Sequence, residues 1–246
     1  MTQPSVAGSI RFSGVEVVVA AEGRTRTILS GVDLELTERR VAVIGANGSG
    51  KSTLLRLVNG LSVPTRGRVT VDGLDTVREG GDVRRRVGFV FTDPLSQLVM
   101  PTPVEDVELS LRRTGGDRRA RTAKALALLE ARGLGHVAHS SVYDISGGER
   151  QLVALTSVLA VEPTVLVADE PTTLLDLRNR ELVREALVAL PLQVVVATHD
   201  LDLALDADRV VVVDRARIVF DGAPPAAVAH YRDLVASQGR GDRERS

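Results

Sequence analysis

The fold of this chain is decided by the stretch Gly45-Ala46-Asn47-Gly48-Ser49-Gly50-Lys51-Ser52, which fits the pattern G-x-x-x-x-G-K-[ST]. It lies between the apolar run Arg40–Ile44 and a predicted helix that begins near Lys51, which is the strand–loop–helix context that this pattern requires. Glycines let the backbone curl so that consecutive N–H groups and a helix N-terminus face a bound phosphate. The stretch therefore predicts a site for a nucleoside triphosphate.

Individual residues of this loop have different expected tasks. Lys51 supplies a compact positive charge that reaches the β- and γ-phosphates, and Ser52 supplies a hydroxyl ligand for Mg²⁺. A dinucleotide-binding loop is disfavoured, because a lysine at the start of the helix is unusual in that motif. The predicted nucleotide-binding residues of the loop are Gly45, Asn47, Gly48, Ser49, Gly50, Lys51, Ser52 and Thr53.

A second candidate motif is the apolar run Val165–Ala168, which ends in the carboxylates Asp169 and Glu170. On its own, an acidic pair after a strand is more often an ordinary charged strand end. Together with the phosphate-binding loop, it predicts that Asp169 holds Mg²⁺ and that Glu170 polarises the attacking water as a general base.

Short Val- and Ile-rich runs recur along the chain and predict its sheet. Continuous apolar runs separated by helical stretches are typical of parallel strands covered by helices on both faces. The sequence therefore predicts the α/β class with a mainly parallel sheet. The predicted strands are Val15–Ala20, Arg40–Ile44, Val87–Phe91, Val165–Ala168, Val194–Ala197 and Val210–Val213.

The pattern changes from strands to helices at about residues 92–159, which predicts a helical lobe inserted in the sheet-forming part. We expect a single domain over residues 1–238. The Gly- and Arg-rich tail 239–246 is predicted to be disordered. The predicted helices are Val104–Arg113, Asp117–Arg132, Arg178–Leu190 and Ala226–Ser237.

Charge, cysteine content and hydrophobic run length exclude several classes of function. The net charge of -1 gives no general attraction for nucleic acid, so no nucleic-acid partner is expected. The absence of cysteine excludes disulfides and thiolate chemistry. No apolar run approaches the roughly 18 residues of a membrane span, and the first residues do not resemble a secretory signal, so we expect a protein of the cytosol.

Three further short motifs follow the loop in the chain. They are Ser146-Gly147-Gly148-Glu149, Pro171-Thr172-Thr173-Leu174-Leu175-Asp176 and Thr198-His199-Asp200. A lone Ser-Gly-Gly would normally be only a helix N-cap. In this order, with the loop and the acidic pair, the motifs resemble those of the ATP-binding-cassette (ABC) family over roughly residues 10–222.

The resemblance implies a P-loop NTPase cassette in which a RecA-like core carries the helical lobe. It also implies a head-to-tail dimer, with an identical or a different second ATPase, that closes on two ATP molecules. The signature residues Ser146, Gly147 and Gly148 would approach the γ-phosphate bound by the other subunit, and Asp176 would lie in the same interface. His199 is similar to the family's switch histidine. His136, His139 and His230 match no motif and are expected to be surface or structural residues.

The chain departs from the family pattern at four places. Ile145 replaces leucine and Glu149 replaces glutamine in the signature, and both changes are mild. Thr92 stands where the family has a glutamine that touches Mg²⁺, so a metal contact at this position is in doubt. The region around Val19 offers no aromatic ring for stacking on adenine, so recognition of the base is expected to be loose.

The segment from Phe91 to Thr102 is similar to that of ATPases of energy-coupling-factor importers, most of all those for biotin. This resemblance implies a transmembrane scaffold subunit, a vitamin-binding membrane subunit, and a peripheral position on the cytoplasmic face of the membrane. In that group the segment forms an extra helix that faces the scaffold. The alternatives are an importer for cobalt, nickel or another vitamin, and a non-transport cassette such as the ATPase of iron–sulfur cluster assembly.

Overall fold

The computed structural model describes residues 8–21 and 24–243 of the chain. The strands are β1 (Ile10–Ala21), β2 (Arg24–Leu36), β3 (Arg40–Ile44), β4 (Arg66–Val71), β5 (Leu74–Asp75), β6 (Val87–Val90), β7 (Val165–Asp169), β8 (Gln193–Ala197), β9 (Arg209–Asp214) and β10 (Arg217–Gly222). The helices are α1 (Lys51–Val58), α2 (Gly80–Arg86), α3 (Pro103–Leu111), α4 (Arg118–Glu130), α5 (Gly147–Leu159), α6 (Leu177–Ala189), α7 (Leu201–Leu205) and α8 (Pro224–Arg243).

The larger sheet has six strands in the order β10-β9-β3-β8-β7-β6, and only β10 runs antiparallel to its neighbour. Its central strands are buried on both faces. Successive side chains point to opposite sides of the sheet, so neighbouring residues of one strand enter different apolar clusters. Val43 and Val167 pack in one apolar cluster, whereas Ile44 and Leu166 pack in the other. The predicted parallel sheet covered by helices is confirmed.

One predicted strand belongs elsewhere. The run Val15–Ala20 lies in β1, which pairs antiparallel with β2 and β4 in a separate sheet of order β2-β1-β4-β5. Its placement in the parallel sheet was wrong, because a run of valines has the same composition in either sheet. The polar residues Arg11 and Ser13 are exposed and alternate with buried Phe12, which is the pattern of a strand with one open face.

Between β6 and β7 the chain forms helices α3, α4 and α5 and no strand. These helices enclose their own apolar cluster, which includes Val107, Leu129 and Val153. The first two were predicted within two residues of their ends. The segment directly after β6 contains the 3-10 turn Pro94–Ser96, where the resemblance implied an extra helix.

Helix α8 extends beyond the predicted Ala226–Ser237 at both ends and continues to Arg243. Residues 244–246 lie outside the described residues, and the disorder of the tail 239–246 stays a prediction. In the described part of the chain, no helix combines the length and apolar character needed to cross a bilayer.

Candidate active site

The loop after β3 has a backbone that only glycine adopts easily. Gly45, Gly48 and Gly50 all have positive φ, at 153°, 77° and 118°. A side-chain carbon on Gly45 would collide with the carbonyl oxygen of Val213, and one on Gly50 would lie 2.7 Å from that of Ile28. Gly45 and Gly50 are therefore required by the close approach of neighbouring strands, and Gly48 is required by its backbone conformation.

Lys51 opens helix α1 beneath this loop and is only 5% exposed. Its Nζ donates hydrogen bonds to the carbonyl oxygens of Gly45 at 2.8 Å and Ala46 at 3.2 Å. The same nitrogen lies 3.6 Å from Oε1 of Glu170. The ammonium is thus fixed inside the curl of the loop, where the β- and γ-phosphates of a triphosphate belong.

Ser52 and Asp169 meet beside the loop although they are far apart in the chain. The Ser52 hydroxyl donates to Oδ1 of Asp169 at 2.8 Å, and Arg56 approaches Oδ2 at 3.7 Å. Burial raises the pKa of Asp169, while the Ser52 hydrogen bond and the Arg56 charge oppose that shift. A hydroxyl and a carboxylate at this spacing are the oxygen ligands that Mg²⁺ prefers, so the pair fits a magnesium site.

Glu170 is held in one orientation by three groups. Its Oε2 accepts from Nδ1 of His199 at 2.6 Å, from the His199 amide at 3.2 Å and from the Thr173 hydroxyl at 3.2 Å. Its own φ is 52°, and its amide donates to the carbonyl of Ala197. Such a conformation is unusual for a residue with a side chain and occurs most often at functional sites.

The loop follows β3, Asp169 and Glu170 lie at the end of β7, and His199 comes after β8. These three strands are neighbours, so the residues share one edge of the parallel sheet. A pocket of about 260 Å³ opens in front of them and is lined by residues of the loop and Glu170. The structure therefore brings together both predicted catalytic side chains and the loop residues. It provides a fixed cation, a hydroxyl–carboxylate pair of the kind that suits Mg²⁺, and a carboxylate that can accept a proton.

Thr92 lies at the border of this group. Its hydroxyl donates to the main-chain oxygen of Asp169 at 2.8 Å. The side chain therefore ties the segment after β6 to the end of β7, and this bond uses the only proton of the hydroxyl.

The signature residues lie at a helix start. Ser146 caps α5 with its hydroxyl, and the Glu149 side chain accepts from the Ser146 amide at 2.7 Å. The hydrogen bonds with Ser146 hold the pKa of Glu149 below its usual value, with a further contribution from His136, whose Nε2 is 3.0 Å away. Gly148 has no room for a side chain, which would collide with Asn179, and the Asn179 amide donates to Asp176.

These signature residues form a cluster separate from the loop. Among residues 8–21 and 24–243, no hydrogen bond or ion pair joins Ser146, Gly147, Gly148 or Asp176 to the loop 45–52. Sequence reasoning missed three contacts: Arg56 to Asp169, Thr173 to Glu170 and His136 to Glu149. Arg56 lies one helical turn after Ser52, so the spacing of four residues could have indicated it.

Comparison with known proteins identifies the family. A family model described as "ABC transporter" matches residues 29–173. A biotin transport ATP-binding protein, BioM of Rhizobium etli, is 41% identical over 93% of this chain and 100% of its own length. A putative ABC transporter ATP-binding protein of Bartonella quintana is 43% identical over 83% of this chain and 90% of its own. The chain belongs to the ABC transporter family. It is an ATP-binding subunit and an ATPase whose hydrolysis is coupled to transport.

Solved structures agree with this assignment. The post-hydrolysis dimer of the cassette MJ0796, bound to ADP and Pi, has a TM-score of 0.80 at 29% identity and covers 87% of this chain and 98% of its own. The structure of cbiO1 from Clostridium perfringens, described as part of the complex cbiONQ, has a TM-score of 0.78 at 28% identity and covers 95% and 96%. The predicted ABC cassette fold is confirmed.

Proposed function

We propose that this ATPase serves an energy-coupling-factor importer and that its cargo is biotin. The observation that carries the proposal is the similarity to a biotin transport protein along that protein's whole length. An energy-coupling factor transporter subunit, EcfA1 of Halalkalibacterium halodurans, is also 38% identical over 81% of this chain. The segment Phe91–Thr102, which resembles this group of ATPases, supports the same choice.

Cobalt is the second candidate cargo. A cobalt import protein, CbiO of Syntrophus aciditrophicus, is 39% identical over 89% of this chain and 80% of its own length. The nucleotide-binding residues face ATP and not the solute, so they do not distinguish the two. A cargo assignment rests on similarity along the chain, which favours biotin.

The proposed working unit is a head-to-tail dimer, with an identical or a different second ATPase, that closes on two ATP molecules. The separation of the signature cluster from the loop supports this arrangement, because each cluster is half of a composite site. Ser146 and the first turn of α5 present N–H groups that attract an anion. The γ-phosphate held by the loop of the other subunit would complete that contact.

The proposed chemistry uses the geometry of one subunit. Lys51 binds the β- and γ-phosphates through the loop, and the glycines present backbone N–H groups. Ser52 and Asp169 would hold Mg²⁺, which neutralises charge on the phosphates when it is bound. Glu170 takes a proton from the attacking water. The water oxygen bonds to the γ-phosphorus, and the bond between that phosphorus and the ADP oxygen breaks. His199 fixes the carboxylate for that transfer.

The proposed membrane contact lies on the helical lobe. Val99 is 75% exposed and Tyr143 is 73% exposed, and the two loops that carry them are joined by a hydrogen bond from the Val142 amide to the Pro101 carbonyl. Apolar side chains held out on a defined loop suit a helix of a membrane scaffold. This contact would place the chain as a peripheral protein on the cytoplasmic face, with a scaffold subunit and a vitamin-binding subunit.

Uptake measurements in a deletion strain test the proposal. Loss of the chain should abolish high-affinity uptake of labelled biotin and leave cobalt uptake unchanged, and the tagged chain should co-purify with two membrane proteins after detergent extraction. Loss of cobalt uptake with normal biotin uptake would select the second candidate. Normal uptake of both solutes, with the chain in a water-soluble complex, would reject an importer.

A further inference from the structure

The strand pair β1–β2 lies next to the phosphate-binding loop and carries an exposed valine. Val19 is 46% exposed, and the register of the two strands places it directly opposite Arg26. Cross-strand partners lie within contact distance of each other, so a side chain at either position reaches the same region of surface. Val19 has no ring to stack on a base, whereas its partner Arg26 carries a planar guanidinium.

Arg26 reaches the loop itself. A side-chain carbon built on Gly48 would lie 3.5 Å from Nη2 of Arg26, so the guanidinium lies just outside the backbone of the loop. Arg26 also lines the 260 Å³ pocket that contains Lys51 and Ser52. A second pocket of about 550 Å³ is lined by Arg26, Asn47 and the turn between β9 and β10. The guanidinium therefore stands between the phosphate-binding pocket and the open space beyond it.

Two backbone hydrogen bonds hold this second pocket in shape. The Ser30 amide donates to the carbonyl of Ala216 at 2.8 Å, and the Ala216 amide donates to the carbonyl of Ser49 at 3.2 Å. The turn containing Ala216 is thus fixed to both β2 and the loop. Arg26 consequently projects from a strand whose distance to the loop is set by the fold.

We infer that Arg26 binds the purine base of the nucleotide by stacking its guanidinium plane on the ring. This inference rests on the proposed nucleotide site. Arg26, Asn47 and Gly48 line both pockets, so a nucleotide whose phosphates lie at Lys51 would pass these residues to place its base in the second pocket. A planar guanidinium stacks face to face on a π-system and also attracts it as a cation. A lysine ammonium is a point charge that attracts the ring but has no plane to stack on it. Because both purines have such a face, stacking of this kind does not separate ATP from GTP.

Equilibrium titration of the full chain with ATP, GTP and inorganic tripolyphosphate tests the inference. We expect Arg26→Gln to weaken ATP and GTP binding by about tenfold each, in the range of base stacking, and to leave tripolyphosphate binding unchanged. Arg26→Lys, which keeps the charge and loses the plane, should behave like Arg26→Gln. Arg24→Gln is the matched control, because Arg24 lies two residues away on the same strand and lines neither pocket. It should bind all three ligands normally.

Each other result overturns the inference. Unchanged ATP binding in Arg26→Gln would show that the side chain is only solvated. An equal loss of tripolyphosphate binding would show a phosphate contact in place of base stacking, as would full rescue by Arg26→Lys. Failure of the wild-type chain to bind ATP would contradict the proposed nucleotide site instead, so the two failures are distinguishable.

Discussion

The sheet-edge site and the segment that follows β6 differ in how their side chains are held. At the sheet edge, Lys51 and Asp169 are buried and bonded to groups from distant parts of the chain. Along the segment, Val99 is exposed, while its amide and that of Met100 are fixed by the buried carboxylate of Asp106. Chemistry on ATP requires side chains that are held at fixed positions, whereas a docking surface requires a fixed backbone with free side chains. The following predictions separate these two kinds of order.

Glu170→Gln should have the largest effect. The amide cannot accept a proton from water, so we expect hydrolysis to fall by roughly 10² to 10⁴. ATP binding should be retained, because the phosphates are held by the loop and Lys51. A phosphate-release assay with a parallel nucleotide titration measures both, and sizing in the presence of ATP should detect an accumulated dimer.

Glu185→Gln is the control for this change, since Glu185 is an exposed residue of α6. It should hydrolyse ATP at the wild-type rate. Near-normal turnover by Glu170→Gln would exclude Glu170 as the general base. Hydrolysis would then be no more sensitive to this residue than to the exposed Glu185.

Substitutions at two neighbouring residues of the segment should affect different properties, namely stability for one and membrane-protein binding for the other. Leu98 packs against the apolar cluster of the lobe, so Leu98→Asp should cost about 2–3 kcal/mol of unfolding free energy by burying a charge. Val99→Asp should leave the unfolding free energy within about 0.5 kcal/mol of wild type, because the side chain is exposed. Val99→Asp should nevertheless abolish co-purification with membrane proteins. Chemical denaturation and detergent co-purification check the pair.

The same pair of variants can contradict the docking surface. Full co-purification and uptake by a stable Val99→Asp protein would show that the segment does not carry the membrane contact. Val219→Asp is a suitable control, because Val219 is also exposed. It lies on β10, which is at the opposite end of the six-stranded sheet from β6, the strand that leads into the lobe.

Lys51→Ala should weaken ATP binding about 10- to 100-fold, because hydrogen bonds to charged groups contribute about 1.5–3 kcal/mol. The other lysine is its natural control. Lys124 makes an exposed ion pair with Glu162 at 3.3 Å, which contributes little, so Lys124→Ala should bind ATP normally. Fluorescence titration with a labelled nucleotide compares them. Equal affinities for the two variants would remove Lys51 from the site.

The sequence predicted the parts of the molecule whose function is encoded locally. The loop around Lys51 and the acids after β7 could be recognised because each motif requires fixed residue types at fixed spacing. Val15–Ala20 was placed in the wrong sheet, because the pairing of β1 with β4, such as that of Ile10 with Val71, is decided by residues far along the chain. Asp106 gave no signal either. Its bonds to the Val99 and Met100 amides appear only when the segment folds against α3, and its bond to Ser157 appears only when α3 and α5 pack together.

Thr92 connects the segment after β6 to the sheet-edge site. Of the substitutions considered, Thr92→Val should have the smallest effect. Valine keeps the shape of threonine and removes the hydrogen bond from its hydroxyl to the Asp169 carbonyl. Loss of one such bond should lower the unfolding free energy by about 1 kcal/mol. Basal hydrolysis should change little, because the general base, the lysine and the Ser52–Asp169 pair remain in place.

Chemical denaturation and a phosphate-release assay measure these two effects separately for Thr92→Val. Thr164→Val is the matched control, because the Thr164 hydroxyl makes only a long contact of 3.4 Å to the carbonyl of Arg86 and the residue is exposed. A loss of hydrolysis as large as that of Glu170→Gln would show that the Thr92 hydroxyl leaves the carbonyl and contacts Mg²⁺ during turnover. Normal basal hydrolysis with weakened coupling to uptake would instead show that Thr92 transmits the position of the segment to the end of β7.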